Sequence, residues 1–104
     1  MKTKNITMHG EVEVREALRW IDDILNWSQI PYLVLGELMK QMVNQELVSV
    51  DKIEIGIQEN AWNETTKSLF KTFLPNVDTE DLHLESNNVP VELKIIHRKY
   101  EFFK

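Results

Sequence analysis

Lysine and glutamate alternate in two segments of the sequence, Lys52 with Glu54 and Glu92 with Lys94. Residues two apart on a β-strand point to the same face of a sheet, so each segment would present one lysine and one glutamate side by side. If the two segments form neighbouring strands, we expect all four side chains to cluster on one side of the sheet. Two carboxylates placed in this way can ligate a divalent cation, and two ammonium groups would nearly cancel their charge.

Opposite unit charges ~4 Å apart attract by about 4 kcal/mol at an effective dielectric of roughly 20, although desolvation removes much of this energy. We therefore hypothesise that the lysines take the place of metal ions and that the cluster satisfies its own charges. Alternating lysine and glutamate are also typical of solvated cross-strand pairs with no site at all. Both interpretations stay open at this point.

A second set of candidate ligands is His83 and Glu85, which would share one face of a strand, with His97 further along the chain. Imidazole and carboxylate groups are suitable ligands for zinc or iron. Strand parity does not bring His97 clearly to the same face, so surface histidines are the default interpretation.

Length and charge limit the classes of protein that this chain can belong to. It has 104 residues, a net charge of -5 and no cysteine. We predict one domain, residues 1–104, with a modest core. The negative charge argues against nucleic-acid binding through bulk charge. The lack of cysteine excludes disulfides, thiolate zinc sites and a cysteine nucleophile.

The N-terminal segment, MKTKNITMHG, lacks the apolar stretch of a signal peptide, and no run of residues is apolar and long enough to span a bilayer. These features predict a soluble, cytoplasmic protein with no membrane association.

The elements that must position the charged residues follow from hydrophobic periodicity. A helix from Glu11, a strand over Tyr32–Leu35, a turn at Gly36 and a helix over 37–46 are predicted first. The expected inward residues of these helices are Val14, Ala17, Leu18, Ile21, Ile24, Leu25, Leu38, Met39, Met42 and Val43. The apolar strand is expected to lie centrally in the sheet or to be covered on both faces.

A second strand, Lys52–Gln58, alternates buried isoleucines with polar residues, and a third helix over 61–74, capped by Asn60, follows it. A turn over 86–88 then joins two further strands. Short strands at Asn5–Met8 and Tyr100–Phe103 are also considered, the latter with aromatic residues that would cover the core or pair with another subunit.

The order is helix, strand, helix, strand, helix and a final strand meander. It predicts an α/β (α+β) fold with a mixed β-sheet and helices packed on one face, the opposite face being partly polar.

From Ile30 onward the sequence resembles the nucleotidyltransferase fold, and it is most similar to a minimal LicD-type nucleotidyltransferase domain. The similarity covers residues 12–96. The segment IPYLVLG at 30–36 is similar to the first strand and its turn, DKIEIGI at 51–57 to the strand with two acidic residues, and VEL at 91–93 to the strand with a third acidic residue. In that family, carboxylates hold magnesium ions that bridge phosphate oxygens.

The resemblance implies roles for particular residues. Glu54 and Glu92 match the second and third acids, the metal ligands, while Gly36 and the residue after it would face the substrate phosphates. The chain departs from the pattern at Glu37, which replaces a small residue, and at Lys52, which replaces the first acid. A charged lysine cannot ligate a metal.

Asp51 is acidic but lies one residue away from the first acidic position, so strand parity turns it to the other face unless a bulge redirects it. A working site would use Asp51, Glu54 and Glu92 as its catalytic acids. Gly36, Glu37, Lys52 and Lys94 are the candidate substrate-binding residues.

Three functions follow as expectations. The first is a degenerate, non-catalytic nucleotidyltransferase-like protein that binds a nucleotide, a small phosphorylated ligand or a partner protein, with no cofactor. The second is an active nucleotidyl- or phosphocholine-type transferase that requires Mg²⁺. The third is a structural or interaction module that forms homo-oligomers or binds another protein through its open sheet face or an edge strand.

Overall fold

The computed structural model describes residues 7–46 and 48–97, which form helices and strands of a mixed α and β protein. The elements in chain order are β1 (His9–Gly10), α1 (Glu11–Trp27), β2 (Leu33–Leu35), α2 (Gly36–Val43), β3 (Ser49–Val50), β4 (Ile53–Gln58), a 3₁₀ turn (Glu59–Ala61), α3 (Glu64–Phe73), β5 (His83–Ser86) and β6 (Val89–Ile96). The predicted combination of helices with β-strands is confirmed.

The strands form two sheets. The larger sheet has the order β2-β4-β6-β5, in which β4 and β6 are parallel and the outer pairs are antiparallel. It is therefore a mixed sheet, as predicted. The smaller sheet pairs β1 with β3 in antiparallel orientation.

The hydrophobic core lies on one face of the larger sheet. Alternate residues of the two central strands are buried there, in one cluster with residues from all three helices. The buried members are Val14, Ala17, Ile21, Ile24, Leu25, Ile30, Leu38, Val50, Ile53, Ile55, Ile57, Phe70, Val89, Val91 and Leu93. The intervening residues of β4 and β6 therefore point to the opposite face, which carries the charged side chains.

Two helices end in the same way, with a glutamine in the left-handed backbone region. Gln29 (φ 63°) follows α1 and Gln45 (φ 58°) follows α2. After α1, the Ile30 amide donates to the Leu25 carbonyl at 2.9 Å and the Gln29 amide donates to the Asn26 carbonyl at 3.0 Å. This pair of hydrogen bonds satisfies carbonyls that the end of a helix leaves open, and it turns the chain from α1 into β2.

The hairpin of β5 and β6 turns through Asn87 and Asn88, both with positive φ (54° and 69°). Two consecutive residues with positive φ are typical of the tight turns whose twist matches that of the flanking strands. The predicted turn and its two strands are thus confirmed.

The predicted inward face of α2 was confirmed for Leu38 and wrong for its other three residues. Met39, Met42 and Val43 are 40%, 48% and 69% exposed, whereas Leu38 and Gln41 are buried. Gln41 is buried because its amide binds the backbone of Ser49 twice, at 3.0 Å to the carbonyl and 2.8 Å from the N–H. A fully paired amide can occupy an inward position that hydrophobicity alone assigns to an apolar residue.

Three other details differ from expectation. β2 is an edge strand, and Leu33 is 57% exposed. The third helix begins at Glu64, not at residue 61, because Asn63 and Thr66 form a reciprocal capping box. The first strand begins at His9; Asn5 and Ile6, like the candidate strand over 100–103, lie outside the described residues.

Candidate functional site

The parallel pairing of β4 with β6 brings the four predicted charged residues together. Glu54 is the register partner of Glu92, and Gly56 is the partner of Lys94. Two glutamates directly opposite each other would repel. Each is paired with a lysine of the other strand segment, Glu54 with Lys94 and Glu92 with Lys52.

The contacts within this charged cluster are short. Lys94 Nζ donates to Glu54 Oε1 at 2.7 Å, and Lys52 Nζ donates to Glu92 Oε2 at 3.2 Å. Lys94 Nζ also lies 3.9 Å from Glu92 Oε1. The carboxylate side chains are 18% and 23% exposed, so the acids are mostly covered while the lysines keep more contact with solvent.

The ion pair between Glu54 and Lys94 shifts the pKa of both residues. The hydrogen bond from Lys94 holds the pKa of Glu54 below its ordinary value, against the opposing effect of burial, and the charges of Lys94 and Lys52 add to the lowering. The same hydrogen bond raises the pKa of Lys94, with the charge of Glu54 contributing. At neutral pH the pair is therefore fully ionised.

His83 also belongs to the cluster, although it was not among the four residues predicted to form it. It is the register partner of Glu92, and its Nε2 lies 3.7 Å from Glu92 Oε2. Its Nδ1 is 2.9 Å from Asp81 Oδ1. The two-residue turn Asn87–Asn88 fixes the hairpin register, so this neighbour could have been found by counting back from the turn.

Gly36 lies directly against Glu54. Its φ is +68°, and a Cβ added there would be 2.4 Å from Glu54 Oε2. A Cβ at this point would force the Glu54 carboxylate to move, and the positive φ itself favours glycine. The carboxylate thereby approaches the first residue of α2, where the helix dipole favours negative charge.

Among the described residues, Glu37 makes no hydrogen bond to the charged cluster. Its Oε2 accepts a hydrogen bond from Gln41 Nε2 at 3.1 Å on the same helix. Gly36 and Glu54 are thus together, as the resemblance implied for the turn and the acidic strand, whereas Glu37 is directed along α2.

Asp51 is exposed at the bend before β4. Within residues 7–46 and 48–97, no group of three or more histidine or acidic side chains is arranged to hold a metal ion. Asp51, Glu54 and Glu92 are therefore not assembled as a three-carboxylate site. The other candidate set also separates, since His97 Nδ1 lies 3.2 Å from Glu59 Oε1 while His83 contacts Asp81.

A cleft of about 520 Å³ lies at the other end of β4. Its lining comes from the segment before β2, the end of β4 and the start of α3, and consists of Gln29, Pro31, Tyr32, Leu33, Gly56, Gln58, Asn60, Ala61, Asn63 and Thr66. The Tyr32 hydroxyl donates to Asp22. Burial, followed by that bond and the Asp22 charge, raises the pKa of Tyr32 above its ordinary range, so the hydroxyl stays protonated at neutral pH.

Comparisons with known proteins give no match to a family model, a curated protein or a solved structure. In the described part of the chain, no helix has the length and apolar character needed to cross a membrane.

Proposed function

We propose that this chain is a degenerate, non-catalytic nucleotidyltransferase-like domain that binds a nucleotide or small phosphorylated ligand without a metal ion. The observation that carries the proposal is the pair of cross-strand ion pairs, Lys94 with Glu54 and Lys52 with Glu92. Each acid that the resemblance assigns to metal binding already has a cation of its own.

The relative placement of Gly36, Glu54 and Glu92 supports the nucleotidyltransferase-like part of the proposal. Glu54 and Glu92 are adjacent on parallel strands, and the turn glycine lies against Glu54. A glycine turn beside two strand carboxylates is the arrangement that the resemblance implies for gripping a metal-bound phosphate.

The lysines support the non-catalytic part. A metal bound between Glu54 and Glu92 would have to displace Lys94, whose Nζ lies within 3.9 Å of both carboxylates. Such a metal would also meet the repulsion of two ammonium groups. Because Lys52 and Lys94 are 35% and 48% exposed, they are able to contact a ligand phosphate from the solvent side.

Restoring the first acid tests this interpretation. The double variant Lys52→Asp, Lys94→Ala removes both cations and places a third carboxylate beside Glu54 and Glu92. We expect it to bind Mn²⁺ saturably at millimolar concentration by calorimetry, and the wild-type protein not to. Adding Glu54→Ala to the double variant should abolish binding. Tight Mn²⁺ binding by the wild-type protein that is lost in Glu54→Ala would refute the proposal.

Ligand binding is tested by thermal shift with ATP and CTP in the presence of EDTA. We expect a concentration-dependent rise in Tm that magnesium does not increase and that Lys94→Gln reduces. A shift that requires magnesium and disappears in Glu92→Ala would instead indicate an active transferase that uses Asp51, Glu54 and Glu92.

The apolar surface of α2 favours a second candidate, an interaction module. Met39, Met42 and Val43 are spaced three and four residues apart, so they share one helix face, and all three are exposed. Helix faces of this kind bind apolar grooves of other proteins. This function predicts a dimer or larger species in light scattering that Met42→Lys dissociates, whereas the matched variant Lys40→Met leaves it intact.

A further inference from the structure

We infer that the cleft beside Gly56 is a binding site for an uncharged planar heterocycle, and specifically for the base of the nucleotide in the proposed function, on which this inference rests. The cleft measures about 520 Å³. That volume is in the range of pockets that hold small organic ligands, roughly 300–1,000 Å³.

The lining of the cleft mixes polar and apolar residues and is uncharged. None of its ten lining residues is lysine, arginine, histidine, aspartate or glutamate. A charged group entering the cleft would lose hydration without meeting an opposite charge, which is costly. The lining therefore selects a neutral group, in contrast to the charged cluster at the other end of β4.

Three amide side chains are available to a ligand. Gln29, Gln58 and Asn60 are exposed, and among the described residues none of their side-chain groups takes part in a hydrogen bond. Asn63 and Thr66 are different, because their side chains are occupied by the capping box of α3. The cleft thus has one amide and one hydroxyl that serve the fold, and three amides with no described hydrogen bond.

Amide groups match the edges of a nucleobase. Each amide offers two donors and one acceptor oxygen in a plane, and asparagine and glutamine can contact a base such as adenine with a donor and an acceptor at once. Pro31 and Leu33 add apolar surface to the lining, against which the flat face of a ring can lie.

The position of Gly56 connects the cleft with the charged cluster. It lines the cleft and is the register partner of Lys94. It also lies two residues beyond Glu54 on the same strand face, about 7 Å away at the usual rise per residue. The side chains of Leu35 and Ile96 cover Gly56 on its Cβ side, so a nucleotide with its base in the cleft and its phosphate beside Lys94 would pass over these two side chains.

The inference is tested with adenosine, which has the base and no phosphate. Titrated into the isotope-labelled full chain, adenosine should produce saturable amide shift changes at Gly56, Asn60 and Ala61. Gln58→Leu and Asn60→Ala should each weaken binding at least fivefold, while Asn76→Ala, in an exposed turn outside the cleft lining, should leave it unchanged. Amide spectra of the variants without ligand show whether each remains folded.

Three results would overturn the inference: no saturable change with adenosine, changes confined to residues outside the cleft, or equal binding of glucose, which is neutral but not planar. Inorganic pyrophosphate separates this failure from failure of the proposed function. If pyrophosphate binds in a Lys94-dependent manner and adenosine does not bind, the base site is disproved while the phosphorylated-ligand proposal is retained. Cleft binding of adenosine with no effect of Lys94→Gln on ATP supports the base site and disproves the phosphate part.

Discussion

The polar side chains at the two ends of β4 are used in opposite ways. Around Glu54, four charged residues bind one another, and the glycine at the turn gives the carboxylate its space. Around Gly56, the side chains of Gln58 and Asn60 have no described hydrogen-bond partner. In the first region the charged groups bind one another within the chain. In the second region the amide groups can bind a ligand. In the proposed function, the ion pairs of the first region hold Lys94 in place for a phosphate, and the amides of the second region contact the base.

The largest expected effect is at the charged end, at Gly36. Gly36→Ala would force a side chain into φ +68° and place its Cβ 2.4 Å from Glu54 Oε2. We expect a loss of about 2–3 kcal/mol in the free energy of unfolding, from the backbone conformation and from the displaced ion pair. Urea denaturation of both proteins at pH 7 measures it.

Gly10→Ala is the control for this prediction. No atom lies within 4 Å of a Cβ at Gly10, and its φ of -85° is ordinary. The only expected cost comes from the weaker capping of α1 by alanine, below about 1 kcal/mol. Equal losses in both variants would mean that the carboxylate does not need the space above Gly36.

The second prediction concerns the Glu54–Lys94 pair. Glu54→Gln removes the charge from a largely covered carboxylate whose partner is 2.7 Å away, and we expect a loss of about 1 kcal/mol after solvent screening at the lysine. Glu64→Gln is the control, since Glu64 is 97% exposed and 4.0 Å from Lys67. Its expected effect is a few tenths of a kcal/mol. If Glu54→Gln lost no more free energy of unfolding than Glu64→Gln, the charged cluster would not stabilise the fold.

The pH dependence of the same pair follows from the direction of its shift. Lys94 holds the pKa of Glu54 below 4.5, the ordinary value that also applies in the unfolded chain. The stabilisation by Glu54 is therefore fully present above pH 4.5 and is lost as the pH falls through the lower pKa of the folded state. Urea midpoints of wild-type protein and Glu54→Gln should converge over this range. When Lys94 is replaced by methionine in both proteins, the difference between their urea midpoints should no longer shrink as the pH falls.

The charged cluster could be predicted from the sequence, whereas part of the buried face of α2 could not. The grouping of Lys52, Glu54, Glu92 and Lys94 follows from two-residue periodicity and from neighbouring strands, both of which are strong signals in a sequence. The burial of Gln41 depended on a contact with Ser49 across a loop. Hydrophobic periodicity does not encode such a contact, so Met39, Met42 and Val43 were wrongly predicted to face inward.

The cleft was missed for a related reason. Its lining comes from three separate segments, around Gln29–Leu33, Gly56–Ala61 and Asn63–Thr66, and no single segment carries a motif. Asn60 was interpreted as the cap of a helix that the capping box of Asn63 actually begins. Once Asn63 takes that structural role, the side chain of Asn60 is left without one.

The smallest expected effect sharpens the comparison from the cleft side. Asn60→Ala should change the free energy of unfolding by less than about 0.5 kcal/mol, as is usual for an exposed side chain without special contacts. Asn63→Ala is the matched comparison: it removes the side-chain acceptor of the Thr66 amide, 3.0 Å away, and should cost about 1 kcal/mol. Urea denaturation of the two variants measures the difference. If Asn60→Ala were as destabilising as Asn63→Ala, the amide would be part of the fold, and the cleft would have one fewer group to offer a ligand.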